Sequence, residues 1–138
     1  MDCRAKIFFY SYPDLTPLFD TPMTGRWSNS PQPQVVSYEV DGKKASMLIG
    51  EQNTMNIGTG SSELLDIAIK INGDSNCYGW NNQSYLFGWK NPNWSIGEGQ
   101  WIVEAVVETS GKPYSQKFIL SNSNDFSKFT IDIINHKK

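Results

Sequence analysis

WIVEAVVETSGKPYSQKFILS, residues 101–121, is the run whose reading decides the fold. Trp101, Val103, Ala105 and Val107 make one row of side chains, while Glu104 and Glu108 fall in the other. Successive side chains of a strand point to opposite faces, so this alternation predicts a strand with one face on a core. Ser110-Gly111-Lys112-Pro113 then turns the chain. The return run, 114–121, brings Phe118 and Leu120 inward. Two alternating runs joined by Gly and Pro predict an antiparallel pair.

The same grammar extends along the chain. Residues 4–10, RAKIFFY, read as a first strand without a breaker. VVSYEV (35–40) and ASMLI (45–49) flank Asp41-Gly42-Lys43-Lys44. Asp-Gly supplies the positive backbone angles that a tight hairpin turn needs. A short strand is expected around 55–57. In LLDIAIKI (64–71), Leu65, Ile67, Ile69 and Ile71 should face the core, and Leu64, Asp66, Ala68 and Lys70 should face away. In 128–134, Phe129, Ile131 and Ile133 share a face. Residues 11–34 form a long connection carrying Pro13, Pro17, Pro22, Pro31 and Pro33. Prolines withhold ladder donors, so this segment should lie across the body, anchored by Phe19, Met23 and Trp27. No segment keeps a helical period, and no internal repeat is present. Seven or eight strands predict an all-β fold, an antiparallel immunoglobulin-like β-sandwich, in a single domain over 1–138.

Composition narrows the function classes. With 12 basic and 14 acidic residues well mixed in 138, and a net charge of −2, nothing marks a nucleic-acid partner. No apolar run approaches the ~20 residues of a membrane helix, and RAKIFFY is too short for a secretory core. The expectation is a cytoplasmic chain with no direct membrane insertion. Cys3 and Cys77 are too few for a disulfide framework; free thiols are expected there, with one bridge as the alternative.

The stretch 77–103, CYGWNNQSYLFGWKNPNWSIGEGQWIV, holds four of the five tryptophans. This run, together with KFILSN, DFSKFTI, GRWSNSPQP at 25–33 and LLDIAIK at 64–70, resembles the soluble domains of uncharacterised prokaryotic proteins, some of them membrane-attached. The resemblance covers most of the chain and implies a shared domain; it carries no activity with it.

The same stretch supplies the expected binding surface: Trp80, Asn81, Asn82, Tyr85, Trp89, Asn91 and Trp94, with Gln83 beside them. Indole faces can anchor a protein partner, as Trp and Tyr often dominate interfaces. They can also stack on sugar rings while the amides bind hydroxyls. Against both stands the large apolar area of tryptophan, which favours rings that simply seal one end of the sandwich. Trp101 belongs to a strand and should be core.

Other chemistry is thinner. Asp74-Ser75-Asn76-Cys77-Tyr78-Gly79 echoes half a calcium loop, but its twelfth position is Tyr85, which has no carboxylate. Cys3, Cys77 and His136 lack zinc spacing. The sole histidine lies in the tail, so a Ser-His-Asp triad is not expected. Asp66, Glu104 and Glu108 remain the carboxylates a hydrolase would need, although outward strand positions suit solvated charges. Gly58-Thr59-Gly60 lacks the Lys of a phosphate loop. Asn82-Gln83-Ser84 and Asn93-Trp94-Ser95 match the glycosylation sequon by chance in a chain without a secretory signal. The expected function is therefore a non-catalytic recognition domain for a protein partner. A carbohydrate-binding module and then a carboxylate-dependent hydrolase are the alternatives. No cofactor and no metal are expected.

Overall fold

Half-buried alternating runs can be stable only in pairs of layers, and the chain builds two. The computed structural model describes residues 2–58 and 62–134. Its strands are β1 (Asp2–Ser11), β2 (Met23–Thr24), β3 (Arg26–Trp27), β4 (Gln34–Val40), β5 (Lys43–Ile49), β6 (Thr54–Asn56), β7 (Leu65–Asp66), β8 (Ala68–Lys70), β9 (Cys77–Gly79), β10 (Ser95–Ile96), β11 (Gly99–Glu108), β12 (Tyr114–Asn122) and β13 (Thr130–Ile133). Every pairing is antiparallel. The fold is all-β.

The large sheet runs β13-β12-β11-β1-β2, with β6 also on β1. The rows read from the sequence hold here in part: Ile102, from the other row of β11, is buried as well, and Trp101 and Val107 are half-buried. Cys3, Ala5, Ile7 and Phe9 of β1 are buried, and so are Val103 and Ala105 of β11 and Leu120 of β12. The second layer comes from β3 on β7 and from β8-β9-β10. Its Leu65, Ile67, Cys77 and Ile96 join Ile7, Phe9, Val103 and Leu120 in one apolar cluster. Each fully buried aliphatic chain there contributes about 1.5–3 kcal/mol. Both cysteines are buried, and burial pushes the Cys77 thiol up to about 11.

The proline-rich connection packs as expected, and it does more. Met23 and Trp27 are buried in two strands too short to show a period. Between them the chain crosses from one layer to the other at Gly25, whose N–H donates to the Ala5 carbonyl at 2.8 Å. A β-carbon at Gly25 would sit 2.8 Å from that of Ala5, so only glycine lets the crossing lie this close.

Three expectations are corrected. The run 64–71 is not one regular strand. It breaks at Ile67, changing partner from β3 to β9, and the break shifts the parity of residues 68–70. Ala68 therefore packs on the core and Lys70 is buried, where both were expected to face away. At the other end, β13 is an edge strand. Ile131, opposite the buried Leu120, and Ile133 stay exposed, with Ile131 lining a cavity that separates it from Leu65–Ala68, while Phe129 packs inward. Finally, the β4–β5 hairpin has its expected turn, with Asp41 and Gly42 both at positive φ, but it pairs with no other strand among the described residues. Val35, Tyr38, Val40, Met47 and Ile49 are all exposed on it.

Gly79 positions the aromatic loop that begins at Trp80. A β-carbon there would meet Met23 Sδ at 2.8 Å and Trp94 Cβ at 2.9 Å. Gly79→Ala is expected to lower stability by about 1–3 kcal/mol through overpacking. Urea denaturation followed by tryptophan fluorescence checks it.

Candidate functional site

The aromatic loop rests on one buried cation. The Arg26 side chain is held in β3, and its Nη1 donates to Asn82 Oδ1 at 2.6 Å and to the Pro31 carbonyl at 3.3 Å. Nη2 donates to the Ser30 carbonyl at 2.9 Å. Nε lies 3.4 Å from Asp66 Oδ2, and the guanidinium stacks over the Tyr85 ring at 5.5 Å. A planar fork can meet these four directions at once; a lysine could not. Asn82 passes the connection on, donating to the Gln52 carbonyl and to Asn53 Oδ1. Asp66 also accepts from Ser28 Oγ at 2.6 Å. One buried network thus ties the proline-rich crossing, the 50–53 loop and the aromatic loop together.

Local sequence shapes the loop itself. Asn81 caps a 3-10 segment, Asn82–Phe87: its Oδ1 accepts from the Gln83 N–H, and Ser84 Oγ accepts from the Asn81 N–H. Gly88 ends the segment in the left-handed region and Trp89 comes next at φ +76°. The Trp89 N–H donates to the Ser84 carbonyl at 3.1 Å. A second 3-10 turn, Pro92–Trp94, is capped by Asn91, with proline at the first position where no donor is needed.

The residues expected to form one surface divide into three groups. Trp80 is half-buried and meets Tyr85 edge-on at 5.1 Å and Trp89 at 6.1 Å, the two indoles standing at 88°. Trp89 is 54% exposed, with Phe87 exposed beside it. Trp94 belongs elsewhere, packed edge-on against Phe19 at 5.1 Å and against the core. Asn81, Asn82 and Asn91 are buried. The expectation that these amides face a ligand is corrected for Asn81 and Asn82, whose oxygens and nitrogens bond within the chain. Asparagine favours such caps because its short amide mimics a backbone partner. Burial of Asn82 also removes the first sequon from solvent.

Arg26 and Asn53 were not found from the sequence. Arg26 sits among prolines with no local pattern, and its main partner lies 56 residues away.

The remaining carboxylates have separate neighbours. Asp74 takes hydrogen bonds from the Asn76 N–H and the Tyr78 hydroxyl and pairs with Lys90 at 3.0 Å. Lys90 first, then the Asn76 N–H, holds its carboxyl below the usual range. Glu108 of β11 pairs with Lys6 of β1 at 2.9 Å. Asp66 is engaged by Arg26 and Ser28. Among the described residues no group of three His, Cys, Asp or Glu is placed to hold a metal. His136, Thr59 and Gly60 lie outside the described residues. No helix among the described residues is long and apolar enough to cross a membrane.

The site and fold define an all-β protein with a rigidly supported aromatic loop. Compared with family models, curated proteins and solved structures, the chain matches none.

Proposed function

We propose that this is a non-catalytic recognition domain that binds a protein partner through Trp89 and Phe87, with Trp80 and Tyr85 as their backing. The observation that carries the reading is Trp89 itself. It is more than half exposed yet fixed at φ +76°, a conformation a bulky residue adopts only when its surroundings over-determine it. A large ring held rigid at the surface loses little freedom on binding, which is what a hot-spot residue requires.

The neighbouring surface supports a protein rather than a flat sugar. The β5 strand packs beside the 3-10 segment Asn82–Phe87. On that ribbon, Val36 with Met47 and Tyr38 with Ala45 are cross-strand neighbours of one face. Exposed Tyr38, Val40, Met47 and Ile49 extend the apolar rim. Trp80 and Trp89 stand nearly perpendicular, so they offer no shared platform for a pyranose ring. An immunoglobulin-like arrangement of the two layers, and an accessory place beside a larger assembly, are parts of the same proposal. The two antiparallel layers around one seam support the first.

A photo-cross-linking residue at position 89, with position 114 as control, identifies the partner in the native host. Tyr114 is 68% exposed at the start of β12. With the purified partner, Trp89→Ala is expected to weaken affinity by about thirtyfold, as for a 2 kcal/mol hot spot, with an unchanged melting temperature. Equal adducts from both positions, or an unchanged affinity, would remove the reading.

A further inference from the structure

The large sheet ends at β13, and its outer edge is open. Among the described residues β13 pairs with β12 alone. We propose that this edge is a docking surface for a second copy of the chain, the two β13 strands pairing antiparallel about a twofold axis at Ile131. The inference does not rest on the protein-binding surface at Trp89.

The backbone fixes which groups are on offer. The Ile134 N–H donates to the Lys117 carbonyl at 3.0 Å, in register with Phe118 opposite Ile133. Antiparallel ladders alternate, so Asp132 and Thr130 turn their N–H and C=O toward β12, and Ile131 and Ile133 turn theirs outward. Phe129 follows with its carbonyl, since its N–H already donates to the Phe126 carbonyl. The side chains of these odd-numbered residues lie on the core side: Ile131 is opposite the buried Leu120, and Phe129 packs inward. Ile131 is 42% and Ile133 60% exposed. Ile131 also lines a cavity of about 330 Å³ shared with Leu65, Ile67 and Ala68. An apolar edge with free backbone groups and no proline is a template for another strand.

Register and charge select a second copy. Centred on Ile131, the pairing places Ile133 opposite Phe129 and Thr130 opposite Asp132, in both directions. The two Ile131 residues then exchange both backbone bonds, and each Ile133 N–H reaches the facing Phe129 carbonyl. Lys128 and Asp132, both exposed, lie diagonally across the junction, where a long side chain can reach. Centring on Asp132 would oppose two like charges, and centring on Thr130 would call on the Phe129 N–H already engaged. Charge and hydrogen bonding thus agree on one register. The twofold closes the pair, so the edge is consumed and no fibre grows. An edge this short buries less than the ~1,200 Å² at which stable interfaces begin, so a dissociation constant of roughly 10–100 μM is expected.

Sedimentation velocity of the whole chain, from about 1 to about 300 μM, is the test. At the upper concentration the mass should approach twice 15.6 kDa. Ile131→Lys sets two like charges face to face at the twofold and should leave only monomer. Ile133→Lys, at the more exposed position, should weaken the dimer at least about tenfold. Circular dichroism checks that each variant folds. Asp132→Lys should weaken the dimer about tenfold, and adding Lys128→Asp should restore it. Ile131→Cys should give a covalent dimer on mild oxidation, because facing Cα atoms of such a pair stand about 5.5 Å apart. Asp132→Cys should not, since its counterpart lies two residues along. The inference is overturned if the chain stays monomeric at about 300 μM, which would leave the edge to an extended segment of another protein. It is overturned too if the dimer survives both lysine variants, or if Asp132→Cys cross-links and Ile131→Cys does not. A dimer lost in Trp89→Ala but kept in Ile131→Lys would place the second copy on the aromatic loop, with the same result. A dimer unchanged in Trp89→Ala, even where that variant loses the protein partner, supports this inference.

Discussion

Arg26→Ala lowers the unfolding free energy by about 3–5 kcal/mol, the expected result of stripping a buried charge network of its centre. Arg26 is 4% exposed, and its guanidinium serves Asn82, Ser30, Pro31 and Asp66 together. Removing it leaves a buried amide oxygen and two carbonyls without their donor, and each such loss carries a desolvation penalty. The Asp66 contact contributes less, because that carboxylate is partly exposed and screened. For a chain of this size the melting temperature should fall by roughly 10–20 °C. Arg26→Lys should recover little, since one ammonium cannot span the four directions. Urea denaturation with fluorescence detection measures the effect. Because Tyr85 loses its stacked cation, the native emission should also shift as Trp80 and Trp89 loosen. A loss below about 1 kcal/mol would show that the network is not what supports the loop.

The second large effect is expected at Asn122. Its Oδ1 accepts from Lys70 Nζ at 2.8 Å, and its amide nitrogen lies within bonding distance of the Ser75, Ile96 and Gly97 carbonyls. Lys70 is 8% exposed, and every partner it has here is a neutral oxygen: Asn122, Ser75 and Asn76. Asn122→Leu conserves shape but takes one oxygen from the ammonium and removes the two amide hydrogens shared among the Ser75, Ile96 and Gly97 carbonyls, of which Ser75 keeps Lys70 and Gly97 keeps Trp101 Nε1. The expected loss is about 3–5 kcal/mol, as much as a cavity in the core. Lys70→Met combined with Asn122→Leu should be less destabilised than Asn122→Leu alone, because the orphaned charge is then gone. A double-mutant cycle by calorimetry should give a coupling of at least ~1 kcal/mol. Strict additivity would mean that the two side chains act separately.

Different parts of this molecule were legible to different degrees. The rows of β1, β11 and β12 could be read because a strand's period of two is a local property, visible in Ile7 and Phe9 or in Val103 and Ala105 without knowing any partner. The Asp41-Gly42 turn was legible for the same reason: left-handed angles are a property of those two residues. β2 and β3 were not, because two residues cannot display a period. The shift at Ile67 was hidden because the alternation of 64–71 looks regular; only the change of partner from β3 to β9 interrupts it. The aromatic loop was legible, yet the inward bonding of Asn81 and Asn82 was not. An amide next to a tryptophan reads the same whether it faces solvent or caps a turn, as Asn81 and Asn91 do.

From the sequence alone came the all-β class, the apolar row of each long strand, the one tight hairpin turn and the location of the aromatic loop. All depend on interactions within a few residues of the chain. Only the tertiary structure decided that Arg26 supports that loop, that Lys70 is buried, that the β4–β5 ribbon pairs with no other strand among the described residues, and that Trp94 leaves Trp89 for the core. Each of these depends on a contact, or the lack of one, between distant segments. Burial and hydrogen-bond satisfaction belong to the pair of groups that meet, and a linear chain does not state which groups those are.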